Sequence, residues 1–301
     1  LMNNILIYAA LLATAGVTLA SCSEEKLDPT SVITPQKVVQ NDFDKWIKAN
    51  YIDAYNIDFK YRYDDIETNM NYYHVPADYK SAVKLAHIVK YACLEAYDQV
   101  AGPDFIRANF PKMLYATGDF QYDNNGTATL GAAEGGKKIF LAGVNHLDQY
   151  MTSRAMLNQY YLKTIHHEFG HIFHQTVDYP VDFKLVTASD YVSDSWSNTT
   201  YGVETYYLPH GFVTAYAQKS HEEDFCETLS VYICNSQQQW DALRTKAGDE
   251  GAALIDKKIA LVKSYMASEW NIDLDQLRAE VLSRENNVIS GAVNLEDLSV
   301  K

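Results

Sequence analysis

The stretch from Leu162 to Thr176 carries His167 and His171 four residues apart, with Glu168 directly after the first, among apolar residues that recur at helical spacing. On a helix, imidazoles at that spacing lie about 6 Å apart along one face, so both can reach a single Zn²⁺. The intervening glutamate projects about 100° round the helix, beside the metal and not on it. There it can take a proton from a water whose pKa the metal has lowered to about 7. His167-Glu168-Phe169-Gly170-His171 is therefore an H-E-x-x-H pattern, the arrangement of metal-assisted hydrolysis. The alternative is a helix with two histidines in its core or at its surface. Periodicity opposes a core role: Leu162, Ile165, Phe169 and Ile172 form the apolar stripe, and the two histidines lie roughly opposite.

Catalytic zinc keeps three protein ligands and one open position. His174 continues the histidine stripe, but an unbroken helix puts it about 10.5 Å from His167, too far to share a metal with bonds near 2 Å. The metzincin pattern also fails, since His174 and Val177 occupy the positions it reserves for glycine and histidine. His174 is expected to line the cleft or cap a contact. Downstream, Glu222-Glu223-Asp224-Phe225-Cys226-Glu227 opens a second helix whose apolar face includes Phe225, Leu229 and Tyr232. Glu223 and Glu227, one turn apart, can both face the metal. One would ligate zinc; the other would accept a hydrogen bond from a ligand imidazole and fix its tautomer. The competing reading is an acidic first turn that serves the helix dipole.

The elements that must position these residues follow from periodicity and turn signals. Phe43, Trp46 and Ile47 suggest a short amphipathic helix, and Ile57, Phe59, Tyr61 and Tyr63 alternate as a half-buried strand would. Ser81 to Val100 reads as a helix with Leu85, Ile88, Val89 and Ala92 on one face, stopped by Gly102-Pro103. Met113 to Tyr122 and Lys138 to Val144 read as strands, with a turn at Asp123-Asn124-Asn125-Gly126 and a further strand at Thr127 to Leu130. The long helix spans about Ser153 to Thr176. Asp178 to Gly211 is irregular, and helices resume near Ser220 and run to about Glu285. Strands followed by helices predict an α+β fold, with the sheet behind the long helix.

A chain of 301 residues can bury a substantial core. A net charge of −14 argues against a phosphate-backbone partner, so nucleic acid is not expected. The 23 tyrosines suit either a half-wet core or a surface that stacks on sugars or peptides. Apart from Cys22 the cysteines are Cys93, Cys226 and Cys234, an odd number without Cys-x-x-Cys spacing, so thiolate zinc sites have no support.

Ile5 to Leu19 is an uncharged apolar run too short to span a membrane comfortably. It ends in Leu19-Ala20-Ser21-Cys22, which resembles a bacterial lipobox whose cysteine becomes the lipidated first residue. The acidic residues just after it resemble the export signal of surface lipoproteins in some Gram-negative bacteria. The reading is a signal peptide over residues 1–21, a tether over 22–34 and a globular domain over 35–301. Within that domain a sheet part extends to about residue 178, and a helical part begins at about 205.

Taken together, His-Glu-Phe-Gly-His and Tyr216-x6-Glu223-x3-Glu227 resemble the lethal-factor-like branch of the gluzincins. The resemblance implies that Glu223 is the third zinc ligand, that Tyr216 stabilises the oxyanion, and that Glu227 orients a zinc-bound histidine. It also implies a zincin-like fold, with a mixed sheet packed on the active-site helix and a mostly helical C-terminal subdomain. The lipobox, Trp46, Tyr55-Asn56-Ile57 and Trp270-Asn271-Ile272-Asp273-Leu274 are similar to the zinc-binding metallopeptidase lipoproteins of gut-type Gram-negative bacteria. Those lipoproteins often accompany outer-membrane nutrient-import systems, and in them alanine usually stands where this chain has Cys226.

The expectation is a peptidase with one zinc per chain, held by His167, His171 and Glu223. Glu168 is its general base, Tyr216 its oxyanion donor, and a peptide or protein its substrate, extended along a sheet edge near Thr127 to Gly131. The chain would sit in the cell envelope, lipid-anchored through Cys22 to the outer membrane and surface-exposed, beside a nutrient-import complex. The alternative is a non-catalytic lipoprotein of such a system that binds peptides or glycans. A purely structural zinc site, however, has no use for Glu168.

Overall fold

The structure is a computed structural model and describes residues 39–68, 71–122, 128–129, 131–134 and 137–300. The expected signal peptide, tether and Cys22 and the expected Asp123-Asn124-Asn125-Gly126 turn lie outside these residues, as do Thr127 and Leu130 of the expected Thr127 to Leu130 strand.

Helix α1 (Asp42–Ile47) begins at Asn41, whose side chain accepts from the Asp44 N–H while the Asp44 carboxylate accepts from the Asn41 N–H. It buries Phe43, Trp46 and Ile47, the residues at helical spacing. A π-helical extension stops at Asn56, whose φ of 56° is left-handed, and the buried Ile57 leads into β1 (Asp58–Lys60). The strand is shorter than the alternation suggests. Ile57, Phe59 and Tyr61 point inward, but Tyr63 is exposed.

The next helical run, α2 (Tyr79–Val89) and α3 (Glu95–Ala101) joined through π-helical Lys90–Leu94, ends at Gly102. Its Leu85, Ile88, Val89 and Ala92 are all fully buried. Strand β2 (Met113–Ala116) covers less than half the span predicted. Beyond it Thr117 pairs with Pro76 and the Gly118 N–H donates to the Val75 carbonyl at 2.7 Å, which diverts the chain. Gln121–Tyr122 therefore joins a separate two-stranded ribbon with Ala128–Thr129.

With β3 (Gly131–Glu134) and β4 (Lys138–Leu141) the sheet has the order β1-β2-β4-β3. β1, β2 and β4 are parallel, whereas β3 runs antiparallel to β4 and forms an edge. The fold is thus mixed α and β, mostly helical, with a small and mainly parallel sheet.

The long helix predicted from Ser153 is present. Ser153 caps Arg154–Leu157, which passes through π-helical Asn158–Leu162 into α4 (Lys163–Thr176). Leu162, Ile165 and Phe169 are fully buried, whereas Ile172 is only partly so. Phe169 stands edge-on to Tyr97 and Phe110, with centroids 5.2 and 4.9 Å away, which fixes one face of α4 against the rest of the core. The other face is covered by α5 (His221–Cys234), so the histidine side meets a second helix as well as the site mouth. Ser220 caps α5 by accepting from the Glu223 N–H.

Helix α6 (Gln237–Trp270), kinked at Gly248, and α7 (Leu274–Ile289) complete the helical half. Residues 40–301 form one compact unit, and a single main core runs through both the sheet and the helices. Tyr51, Tyr97, Tyr161 and Tyr265 are among its largest buried side chains, and Tyr115 is fully buried in a smaller cluster with Phe120 and Phe140, so much of the tyrosine content is structural.

Candidate metal centre

Gly170, inside the motif, faces α5. A methyl group there would lie 3.1 Å from Cys226 Sγ and 3.3 Å from Leu229 Cδ2. The missing side chain lets the two helices approach closely, and that approach carries Glu223 to the histidine pair.

Glu223 Oε2 lies 3.1 Å from His167 Nε2 and 3.3 Å from His171 Nε2. Donor atoms sharing a tetrahedral zinc with bonds of 2.0–2.1 Å are about 3.3 Å apart. Glu223 Oε2 stands at about that separation from both imidazole nitrogens, and two imidazoles with one carboxylate are a donor set that suits Zn²⁺. Glu223 keeps its other oxygen for Tyr216, whose hydroxyl donates to Oε1 at 2.8 Å. Lys219 donates to the Tyr216 hydroxyl at 3.3 Å and lies 3.5 Å from Glu223 Oε1. The segment expected to be irregular carries short helices at Val181–Val186, Ser193–Ser197 and Glu204–Tyr207, and Trp196 of the second stands edge-on to the Tyr216 ring at 5.0 Å.

The structure also places the two glutamates differently, which their spacing alone did not. Glu227 Oε1 lies 2.8 Å from His167 Nδ1, on the far side of the ring from Glu223. Both Glu227 oxygens accept from Lys163, at 2.7 and 2.8 Å, and Oε2 also accepts from the Thr214 hydroxyl at 2.6 Å. Neither Lys163 nor Thr214 was singled out from the sequence. Lys163 precedes His167 by one helical turn, so spacing alone could have flagged it. Thr214 arrives from a loop and left no such signal.

The electrostatics are those of a cation site. Burial disfavours charge on His167, yet its contacts with Glu223 and Glu227 outweigh this and hold its pKa up at about 9. Burial likewise works against ionised Glu223, but His167 and His171 prevail and its pKa lies well below the carboxylate range. For Glu227 the same outcome owes most to the Lys163 charge. Glu168 is half-buried on the next face of α4, and its negative charge acts on both His167 and Tyr216.

Cys226 is the other donor nearby. His167, His171 and Cys226 offer ligand atoms all within 4.8 Å of one another. The thiol is fully buried, and desolvation followed by the charges of Glu223 and Glu168 pushes its pKa well above the usual value. That environment opposes a thiolate, whereas Glu223 Oε2 stands 3.1 and 3.3 Å from the two imidazoles as a carboxylate held well below its ordinary pKa. Cys93, Cys226 and Cys234 are all free and buried. His166, beside the motif, is a core residue: it meets the Tyr97 hydroxyl at 3.1 Å, and burial lowers its pKa to about 3.

The sequence model of the family described as "Putative zinc-binding metallo-peptidase" matches residues 36–275. A crystal structure described as "a putative zinc-binding metallo-peptidase" from Bacteroides caccae is 40% identical, with a TM-score of 0.75. The match covers 89% of this chain and 100% of that one. No curated protein matches the chain.

Proposed function

The chain belongs to this family of zinc-binding metallo-peptidases, and from that premise we propose that it hydrolyses peptide bonds with one zinc ion held by His167, His171 and Glu223. The observation that carries the proposal is the convergence of Glu223 Oε2 on both imidazoles, at 3.1 and 3.3 Å, from a helix 52 to 56 residues further along the chain. Bound there, zinc supplies the Lewis acidity that polarises the scissile carbonyl and acidifies a water.

The remaining chemistry belongs to side chains. Glu168 removes a proton from the attacking water and returns it to the leaving amine. Tyr216 turns its hydroxyl from Glu223 to the developing oxyanion. Lys219 then moves onto Glu223 Oε1, 3.5 Å away, so that the oxygen released by Tyr216 keeps a donor. Glu227, held by Lys163 and Thr214, fixes the His167 ring and its tautomer. Together these roles describe a zincin of the gluzincin type.

An extended substrate would add to the sheet edge at β3, the strand that packs against α4. We extend the proposal to the cell envelope: the Ile5 to Leu19 run and Leu19-Ala20-Ser21-Cys22 support lipid anchoring through Cys22, at the outer membrane, beside a nutrient-import complex. No helix among the described residues is long and apolar enough to cross a membrane. Fatty-acid labelling that persists in Cys22→Ser would remove the anchor from the proposal.

The deciding experiment pairs metal content with hydrolysis of a mixed peptide library, for wild type and Glu168→Ala. The expected result is one zinc per chain in both, with cleavage by wild type alone. Stoichiometric zinc without cleavage would replace the peptidase by the peptide- or glycan-binding reading. Wild type without zinc would overturn the ligand assignment.

A further inference from the structure

His174 is too far along α4 to share a metal with His167, yet it does more than line the cleft. Its Nε2 lies 2.9 Å from His171 Nδ1. The opposite nitrogen of His171, Nε2, is the one that faces Glu223 Oε2. The His174 ring stands edge-on to Tyr179 and to Phe225, with centroids 5.6 and 6.1 Å away, so aromatic packing from two other elements holds it in place.

We propose that His174 is the positioning residue for His171, accepting its Nδ1–H and leaving the Nε2 lone pair for zinc. The inference rests on the reading of His167, His171 and Glu223 as zinc ligands.

A neutral imidazole has one donor and one acceptor nitrogen. His171 can bind a metal through Nε2 only if its proton resides on Nδ1. In the other tautomer that proton points at the metal position and blocks it. An acceptor at 2.9 Å from Nδ1 selects the competent tautomer and fixes the ring rotation. His174 Nε2 is then the lone-pair nitrogen, and the His174 proton sits on Nδ1. The two ligand histidines are therefore oriented by different means, His167 by a carboxylate neutralised by Lys163 and His171 by an uncharged ring. In sequence the device reads as a third histidine three residues beyond the motif.

Three variants separate the hydrogen bond from packing. His174→Phe keeps a ring against Tyr179 and Phe225 but has no acceptor. His174→Gln restores an acceptor without the ring, and His174→Ala removes both. Zinc affinity of the purified protein would be measured by competition with a chromogenic chelator. The ligand-field spectrum of the Co²⁺ form and thermal unfolding of the metal-free protein would be recorded alongside.

Ala and Phe should each weaken zinc binding by about 10- to 100-fold and shift the Co²⁺ bands, while Gln recovers most of the affinity. Metal-free His174→Phe should melt close to wild type. If His174→Ala does not fold, the Phe and Gln pair still decides. Wild-type affinity in His174→Phe, or a Gln variant as weak as Phe, overturns the inference and leaves the peptidase reading intact. Wild type that binds no zinc overturns both.

Discussion

Asp224 follows the candidate ligand Glu223 on α5 and forms an ion pair with Lys258 of α6 at 2.6 Å, with both side chains 0% exposed. Asp224 also accepts from the Tyr191 hydroxyl at 2.9 Å, and Lys258 donates to the Gly211 carbonyl at 2.8 Å while lying 4.0 Å from the Phe212 ring centroid. Burial pushes the Asp224 pKa up and the Lys258 pKa down, so each charge depends on the other. Lys258→Met would leave a dry carboxylate with only hydroxyl partners. Breaking a fully buried pair by removing one member costs about 3–5 kcal/mol. Loss of the bond to Gly211 adds about 1 kcal/mol, and proton uptake by Asp224 offsets part of the total. Against a typical domain stability of about 5–15 kcal/mol this is a severe change.

Urea unfolding of the metal-free protein at neutral pH would measure it, for Lys258→Met, Asp224→Asn and the double variant. Each single variant should lose about 3–5 kcal/mol, and the double should lose less than the two singles combined, because it strands no charge. Zinc affinity should fall in the singles, since Asp224 anchors the turn that presents Glu223. Single variants within about 1 kcal/mol of wild type, or strictly additive losses, would refute the argument.

Further expectations follow from neighbouring contacts. Gly170→Ala should weaken zinc binding and lower the melting temperature, because a methyl 3.1 Å from Cys226 Sγ pushes α4 and α5 apart. Overpacking costs about 1–3 kcal/mol against a gain in helix propensity of about 1. Adding Cys226→Ala should recover part of the loss, and a double variant no better than Gly170→Ala would count against that contact. Tyr216→Phe should keep its zinc and lose about 100- to 1000-fold in kcat on a cleaved peptide; unchanged kcat would exclude Tyr216 from the oxyanion role. Burial raises the pKa of Glu285 to about 8, partly opposed by its bond from Asn158. The folded chain then holds a proton that the unfolded chain releases above its ordinary pKa of 4.5. Stability should therefore fall as pH rises from about 4.5 to about 8, and Glu285→Gln should remove this slope, worth a few kcal/mol. Parallel stability curves for the two proteins across that window would contradict it.

What is local in this protein is written in its sequence. The 3.6-residue spacing of Leu162, Ile165 and Phe169 was enough to draw α4 and to put His167 and His171 on one face. Capping residues such as Asn41, Ser153 and Ser220 start helices with their own side chains. In both Tyr55-Asn56-Ile57 and Trp270-Asn271-Ile272, asparagine takes a left-handed φ, 56° and 53°, and a buried isoleucine follows. These are helix stops, set within a few residues. Strand extents were less legible, because Met113 to Tyr122 reads as one strand until the distant Val75 and Pro76 claim Thr117 and Gly118.

Spacing alone did not rank Glu223 and Glu227; only the resemblance did, and where each carboxylate sits was decided by the tertiary structure. The two carboxylates sit one turn apart on the same face of α5, and helical periodicity does not rank them. The offset between α5 and α4, set where Cys226 rests on Gly170, brings Glu223 to the Nε2 side of both histidines and Glu227 to Nδ1 of His167. Lys163 and Thr214 find Glu227 only in that arrangement. A slide of one helical turn, about 5.4 Å, would alter every one of these contacts without changing a residue. Spacing along a chain fixes which groups share a face; packing between faces fixes which of them meet.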